Sequence, residues 1–169
     1  MTLREVKKEE IALLQQMSVS TFRDAFGSQN TRENMNLYLS EMMSMERITH
    51  EYNHPDSTFY FSLVDEEIVG YLKLNTGSAQ NESHLGKSME VERIYVLKEH
   101  QSKGIGKLIF DEAIAKARQC GMEVLWLGVW DQNTRAITFY ERIGLKIFDT
   151  HSFMLGTDIQ TDKLMKMQL

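Results

Sequence analysis

The sequence has a single cysteine, a single proline and no long apolar run among its 169 residues. Because one thiol, Cys120, cannot form an internal disulfide, the sequence is typical of a reducing compartment, and we expect a cytoplasmic location. A membrane helix needs about 18 consecutive apolar residues, and no segment approaches that length. Residues 1–8 also lack the apolar core of a signal peptide. We therefore expect neither secretion nor a membrane partner.

Acidic residues outnumber basic ones: 24 Asp and Glu against 19 Lys and Arg give a net charge of −5. This balance does not indicate a nucleic-acid partner and suits a cationic substrate. The five histidines form no ligand set. His50 and His54 have a spacing that can chelate a metal on a helix, but Pro55 is adjacent and a third ligand is missing. We expect a solvated helix end there and no metal.

Length and composition predict one domain over residues 1–169, since 42% of the residues are hydrophobic and no linker or repeat divides the chain. Apolar residues at helical or alternating spacing predict an α/β (α+β) fold with the element order βααα-ββ-β-α-β-α-β-β. The predicted strands are 2–6, 58–64, 68–74, 90–97, 124–130, 145–155 and 163–169. The predicted helices are 9–26, one opening at 31, 44–52, one opening near 105, and 133–143, and a loop is predicted over 77–88.

The segment 90–107 shows the clearest functional pattern, a strand followed by a glycine turn and a helix. The β-branched, aromatic and apolar residues 94–97 suit a buried strand. Gly104 and Gly106 stand where the helix begins, so the backbone there can approach a ligand closely. The N–H groups of a first helical turn and the helix dipole favour an anion. The segment therefore predicts a phosphate site.

The spacing of the glycines narrows the choice of phosphate ligand. A Walker loop needs four residues between its glycines and then Gly-Lys-Ser/Thr, which this chain lacks. The dinucleotide fingerprint needs a third glycine where Ile109 stands. The sequence instead matches Gln-x-x-Gly-x-Gly over residues 101–106, with Ser102, Lys103 and Lys107 adding a hydroxyl and two cations.

A second motif, Asn133-x-x-Ala136-x-x-Phe139-Tyr140-x-x-x-Gly144-Leu145, follows the first with a strand between them. With both motifs in this order, the sequence resembles the acetyl-CoA-dependent N-acetyltransferases of the GNAT superfamily. This resemblance implies acetyl-CoA as the donor and a mixed, mostly antiparallel sheet flanked by helices. It also implies a splayed strand pair, near Tyr95 and Gly128, that holds the pantetheine arm.

A closer resemblance, to the PaiA-type spermidine and spermine N-acetyltransferases, extends over nearly the whole chain. It rests on four segments: Thr21-Phe22-x-Asp24-x-Phe26; Gln29-Asn30-x-x-Glu33-Asn34-Met35-x-x-Tyr38-Leu39; Trp126 to Trp130; and His151-Ser152-Phe153 with Gln160-Thr161-Asp162. The resemblance implies a small-molecule amine, a polyamine, as the acceptor.

The resemblance also assigns roles to residues. Contacts to acetyl-CoA fall on Ile94, Tyr95, Val96, Gln101, Ser102, Lys103, Gly104, Ile105, Gly106, Lys107, Asn133, Arg135, Ala136, Tyr140 and Arg142. Among these, a backbone N–H near residues 94–96 would polarise the thioester carbonyl. Asn133 would bind the pantetheine amide or simply cap its helix.

The chemistry needs a base and an acid, because an alkylamine with a pKa of about 10 is protonated at neutral pH. Glu92 is our first choice for accepting that proton, directly or through water, with Glu90 on the same strand face. Tyr140 is the candidate acid, since phenol ionises near pH ~10. The alternative interpretations are solvated strand charges for the two glutamates and a core aromatic for Tyr140.

Asp24, Glu33 and Glu41 lie in the N-terminal helices, where carboxylates could hold the distal ammonium groups of a polyamine or simply face solvent. Other acceptors stay open at this point, namely a protein N-terminus, a lysine or an aminoglycoside. So does a non-catalytic module that senses acyl-CoA or polyamine. By analogy with relatives, the closing strands could also pair in a homodimer.

Overall fold

A computed structural model describes residues 1–82 and 85–169. The predicted loop over 77–88 includes Ser83 and His84, which lie outside the described residues. The strands are β1 (Thr2–Glu5), β2 (Ser57–Val64), β3 (Glu67–Asn75), β4 (Ser88–Val96), β5 (Val124–Trp130), β6 (Lys146–Leu155) and β7 (Asp158–Gln168). The helices are α1 (Ile11–Phe26), α2 (Arg32–Met42), α3 (Met45–Tyr52), α4 (Ile105–Gln119) and α5 (Thr134–Arg142). This order confirms the predicted succession of elements.

The described strands form one seven-stranded sheet in the order β1-β2-β3-β4-β5-β7-β6. Neighbouring strands run antiparallel except for β4 and β5, which are parallel. The helix α4 forms the crossover between these two, as a parallel connection requires. The mixed, mostly antiparallel sheet that the resemblance implied is therefore confirmed.

The pairing of β4 with β5 is short, and this opens the sheet. It extends over three positions, from Ser88 opposite Val124 to Glu90 opposite Trp126, and the two strands then separate. Residues 94–96, expected to be buried, are half-buried because the edge of β4 facing β5 is uncovered there. The expectation of a buried strand was wrong at this end for that reason.

Helix α4 packs its apolar stripe on the sheet. Ile109, Ala113 and Ala117 are fully buried at i, i+4 and i+8, together with Phe110. The apolar Leu108 is 46% exposed, because it lies about 100° around the helix from Ile109. The stripe positions the first turn of α4 at the opening between β4 and β5.

The C-terminal hairpin is longer than predicted. Strand β7 begins at Asp158 and not at Lys163, because Gly156 adopts a φ of +64° in a tight turn and pairing starts at once, with Leu155 opposite Asp158. The turn is fastened to α2: Asn34 Oδ1 accepts hydrogen bonds from Thr157 N at 3.1 Å and from Thr157 Oγ1 at 3.0 Å. This contact holds α2 over one end of the sheet opening.

Candidate active site

A cleft of about 1030 Å³ occupies the opening between β4 and β5. Its walls come from α1, α2, β4, the loop that precedes α4, α5 and the β5–β7–β6 side of the sheet. The glycine loop lies at one end, and a group of carboxylates lies at the other. The glycine loop suits an anionic ligand, and the carboxylate end suits a cationic one.

The glycine loop exposes backbone to the cleft. Ser102 and Gly104 have φ values of +61° and +81°, and α4 begins immediately afterwards at Ile105. A Cβ atom added at Gly104 or Gly106 would meet no atom within 4 Å, so space next to this backbone is open. Helical N–H groups of the first turn point into such a space. The loop therefore fits a diphosphate.

Most of the predicted cofactor residues meet at this cleft. Lining it are Ile94, Tyr95, Val96, Gln101, Ser102, Gly104, Ile105, Gly106, Lys107, Asn133, Arg135, Ala136 and Tyr140. The Arg135 guanidinium donates to Ser102 Oγ at 3.2 Å, which joins α5 to the glycine loop. Lys103 and Arg142 are exposed and are not among the described cleft-lining residues, so their phosphate contacts stay predictions. Arg142 lies with Arg135 beside a shallow depression on α5.

Asn133 and Tyr140 enter the cleft from α5. Asn133 Oδ1 accepts a hydrogen bond from Ala136 N at 3.2 Å, so the residue does cap the helix, and it lines the cleft as well. Tyr140 packs against Phe110 and Phe139. Burial raises the pKa of Tyr140 well above its ordinary value. Its phenol therefore stays protonated, as a proton donor must.

At the opposite end, Glu90 and Glu92 share one hydrogen-bond donor. Asn75 Nδ2 lies 3.1 Å from Glu90 Oε2 and 2.5 Å from Glu92 Oε2. The register between β3 and β4 shifts here, with Lys73 opposite Arg93 and Leu74 opposite Val91, so Glu92 is the extra residue of a bulge. The bulge directs both carboxylates towards the cleft that they line.

Glu90 is buried, and its carboxyl group is therefore partly protonated at neutral pH. Its carboxylate accepts bonds from Asn81 N at 3.0 Å and Asn81 Nδ2 at 2.7 Å. Burial, and secondly the charge of Glu92, raise the pKa of Glu90 to about 7, against the opposing hydrogen bonds from Asn81 and Asn75. A carboxylate with this pKa is suited to accept and release protons near pH 7.

Glu92 belongs to a buried ion network that the sequence analysis missed. Lys73 Nζ lies 2.5 Å from Glu92 Oε2 and 3.0 Å from Glu51 Oε2, and Arg93 bridges the same two carboxylates. Arg47 adds a 2.7 Å contact to Glu51. A signal for this network was present, because Lys73 interrupts an otherwise apolar strand whose neighbours are buried.

Asp162 is a second residue that sequence reasoning did not assign to the site. It lies on β7 and lines the cleft, and its Oδ2 is 3.2 Å from where a Cβ of Gly128 would be. Burial raises the pKa of Asp162 to about 6; His151 opposes the shift, and Asp131 adds to it.

The three helical carboxylates differ in position. Asp24 lines the cleft at its exposed rim. Glu33 and Glu41 are exposed on α2 and are not among the described lining residues, so a substrate role for Glu33 stays a prediction.

Neither a metal centre nor a membrane helix is found in the part of the chain described. Residues 1–82 and 85–169 contain no group of three or more His, Cys, Asp or Glu side chains placed to hold a metal. His54 Nδ1 accepts a hydrogen bond from Asp56 N at 3.2 Å. None of the described helices combines the length and the apolar character needed to cross a bilayer.

A splayed parallel strand pair, an open glycine loop at a helix N-terminus and a buried tyrosine in the same cleft define an acyl-CoA-dependent acyltransferase. Residues 21–145 match the model of the acetyltransferase (GNAT) family. The chain belongs to this family and is an acetyl-CoA-dependent N-acetyltransferase, which confirms the superfamily, the donor and the fold that the two motifs predicted.

Similar proteins agree with this assignment. The chain is 41% identical to an uncharacterized N-acetyltransferase of Lactobacillus delbrueckii subsp. lactis, over 98% of this chain and 95% of that protein. It is 22% identical to the spermidine N(1)-acetyltransferase of Thermoplasma acidophilum over 95% of each protein. Among solved structures, the PaiA N-acetyltransferase of Thermoplasma acidophilum in complex with coenzyme A superposes with a TM-score of 0.79, at 22% identity, over 99% of this chain and 98% of the other.

The glycine loop allows a direct test of donor binding with a matched control. Gly104→Ala and Gly121→Ala both place a Cβ at a positive φ in open space, at opposite ends of α4, and each should strain the free protein by about 1–2 kcal/mol. Only the first Cβ enters the space proposed for the diphosphate. We expect calorimetry to show an approximately tenfold higher Kd for coenzyme A in Gly104→Ala alone. Equal Kd values in the two variants would place the diphosphate elsewhere.

Proposed function

We propose that the protein transfers the acetyl group of acetyl-CoA to a primary amine of a polyamine such as spermidine or spermine. The observation that carries this proposal is the charge at the acceptor end of the cleft. Four carboxylates line it, those of Asp24, Glu90, Glu92 and Asp162. The spermidine N(1)-acetyltransferase relative and the PaiA-type motifs support the same class of acceptor.

The cations at this end are already paired. Arg93 contacts both Glu51 and Glu92, and Arg47 contacts Glu51, which is buried beneath the cleft floor. With Lys73, three cations contact the two carboxylates of this network, so each cation has a partner and Glu92 is already neutralised within the protein. The carboxylates that remain, chiefly Glu90 and Asp162, favour a substrate that brings its own positive charges.

Aromatic side chains suit the methylene chain of such a substrate. The rings of Phe22 and Tyr38 stack with centroids 4.7 Å apart, and the edge of Phe26 meets Trp130 at 5.9 Å. All four residues line the cleft. Apolar burial and cation–π attraction, about 0.5–2 kcal/mol per contact, both favour an alkyl chain that carries ammonium groups.

The residues of the cleft can supply each step of the transfer. Glu90 accepts a proton from the bound ammonium, directly or through water, which frees the nitrogen lone pair to attack the thioester carbonyl. Backbone N–H groups of Ile94 and Val96 on the unpaired edge of β4 stabilise charge on the carbonyl oxygen. Tyr140 protonates the sulfur as the C–S bond breaks. The second proton lost from nitrogen restores Tyr140, and Glu90 releases the first to solvent.

The surroundings of the two glutamates favour Glu90 over Glu92 as the proton acceptor. Two cations contact Glu92, and accepting a proton would remove the charge that balances them. Among residues 1–82 and 85–169, the hydrogen-bond donors to Glu90 are all neutral, and its pKa of about 7 allows it to cycle between both forms. We therefore assign proton transfer to Glu90 and the alignment of the shared Asn75 amide to Glu92.

A panel of amines tests the proposed acceptor. At pH 8 with saturating acetyl-CoA, we expect kcat/KM for spermidine and spermine to exceed that for butylamine about 100-fold. Butylamine is the control because it keeps the alkyl chain and lacks the second cation, and a charge-assisted hydrogen bond contributes about 1.5–3 kcal/mol. Equal values for butylamine, or higher values for an aminoglycoside, a lysine or a peptide N-terminus, would refute the polyamine assignment.

A further inference from the structure

We propose that Asp162 binds the second ammonium group of a diamine or polyamine whose first amine lies at Glu90, and so selects acceptors by the spacing of their charges. This inference rests on the proposed function and goes beyond it by naming a selecting residue and a distance. It concerns recognition only: Asp162 lies on β7, whereas Glu90 and Tyr140, the residues assigned to proton transfer, lie on β4 and α5.

The carboxylate of Asp162 is poorly satisfied within the protein. Among residues 1–82 and 85–169 it makes neither a hydrogen bond nor an ion pair. His151, opposite Asp162 on β6, lowers the pKa of Asp162 through its charge, but its Nδ1 lies 3.2 Å from Glu82, and Gln160 donates to Asn30 and Asp158. A partly buried carboxylate without a partner is unfavourable unless a ligand supplies one.

Gly128 leaves the approach to Asp162 open. It is an exposed glycine in an otherwise apolar strand, and Oδ2 of Asp162 lies 3.2 Å from its missing Cβ. Any larger side chain at this position would enter the cleft beside the carboxylate. The glycine therefore lets Asp162 face the space that the acceptor would occupy.

The register of the sheet sets the distance between the two acidic positions. Glu90 is opposite Trp126 on β5, and the Asp162 carboxylate reaches Gly128, two residues further along the same strand. Two residues extend about 7 Å along a strand, and neighbouring strands lie about 4.8 Å apart, so the backbone at Glu90 is roughly 8 Å from the backbone at Gly128, beside which the Asp162 carboxylate lies.

This separation matches a short diamine. Nitrogens joined by three or four methylenes are about 5–6 Å apart when extended, by ordinary bond lengths. With a contact of about 2.8 Å at each end, such a molecule can join carboxylates roughly 8–11 Å apart. The propyl and butyl spacings of natural polyamines lie in this range. A monoamine would leave Asp162 without a partner.

The test compares Asp162→Asn with wild type on 1,4-diaminobutane, spermidine and butylamine. We expect kcat/KM for the two polycationic substrates to fall about 10- to 100-fold, while kcat/KM for butylamine and KM for acetyl-CoA do not change. The control is Asp149→Asn, an exposed carboxylate on the adjacent strand β6, which should behave as wild type on all three amines. Thermal melting of each variant verifies the fold.

A second variant tests the distance. Asp162→Glu moves the carboxylate about 1.5 Å further into the cleft, so we expect its preference to shift from 1,4-diaminobutane towards 1,3-diaminopropane. If Asp162→Asn keeps the wild-type preference for polyamines, the role of Asp162 is refuted while the proposed function stands. An equal loss for butylamine would show a structural role and also refute the inference. If wild type shows no preference for 1,4-diaminobutane and spermidine over butylamine, the proposed function itself is refuted.

Discussion

Replacing Glu90 with glutamine should lower kcat/KM for the amine about 10²- to 10³-fold at pH 8, within the usual contribution of a general base. The amide of glutamine can still accept the hydrogen bond from Asn81 N, but it cannot take a proton from the substrate. Steady-state kinetics measures the loss, and calorimetry should show an unchanged Kd for acetyl-CoA.

The pH profile provides a sharper form of this test. Glu90 must be ionised to accept a proton, and its pKa is raised to about 7. In wild type, log kcat/KM for butylamine, which does not need ionised Asp162, should therefore rise with unit slope below pH 7 and level off above it, until the amine itself titrates near pH ~10. In Glu90→Gln this acid limb should disappear. Because burial raises the pKa of Tyr140, ionisation of this phenol should not lower kcat/KM at any pH below the pKa of the amine.

Glu92→Gln is the matched comparison. Removing its charge removes one cause of the raised pKa of Glu90, so the acid limb should persist and move to lower pH. A loss of turnover in Glu92→Gln, with a normal profile in Glu90→Gln, would reverse the two roles and restore the first choice made from the sequence.

Replacing Arg93 with methionine should lower the free energy of unfolding by about 3–5 kcal/mol, the range for breaking a buried ion pair by removing one partner. The Arg93 side chain is 8% exposed and contacts Glu51 and Glu92 at 2.9 Å and 3.2 Å. Burial would raise the pKa of Glu51, but the charges of Arg93 and Lys73 outweigh it and lower that pKa. Without Arg93, Glu92 keeps only its contact with Lys73, and Glu51 keeps Lys73 and the more exposed Arg47.

Urea unfolding at pH 7.5 measures this change, with Arg4→Met as the control. Arg4 pairs with Glu10 at 2.8 Å, but the two side chains are 35% and 22% exposed. Its replacement should therefore lower the free energy of unfolding by about 1 kcal/mol or less. Adding Glu51→Gln to Arg93→Met should recover part of the stability by removing one unpaired charge. If the two arginine variants lose the same amount, the network does not stabilise the fold.

The parts of the fold that obey local rules could be predicted from the sequence. Ser44 and Thr31 cap their helices as hydroxyl N-caps do, each accepting a backbone N–H three residues on. The glycine loop was recognisable because the backbone N–H groups that bind a diphosphate come from consecutive residues. Such a site therefore appears as a short motif in the sequence. For the same reason, most of the residues predicted for the donor end line one cleft, and their contacts to acetyl-CoA stay predictions.

The acceptor end was harder to predict because its groups come from distant parts of the chain. Glu51, Lys73 and Glu92 meet only when α3 packs on the β3–β4 pair. The raised pKa of Glu90 arises from burial and from the charge of Glu92, which is the extra residue of a bulge that the alternation of β4 does not reveal. Asp162 is part of a motif that the sequence shows, but its position beside Gly128 depends on the register of β7 with β5.

A crystal structure of the protein with coenzyme A and spermidine would test the central claim most directly. We expect the diphosphate at the N–H groups of Ile105 and Gly106, and a primary nitrogen of spermidine between the thiol and Glu90, within reach of the carboxylate directly or through one water. Spermidine bound outside the cleft, or a terminal nitrogen far from both Glu90 and the sulfur, would contradict the account.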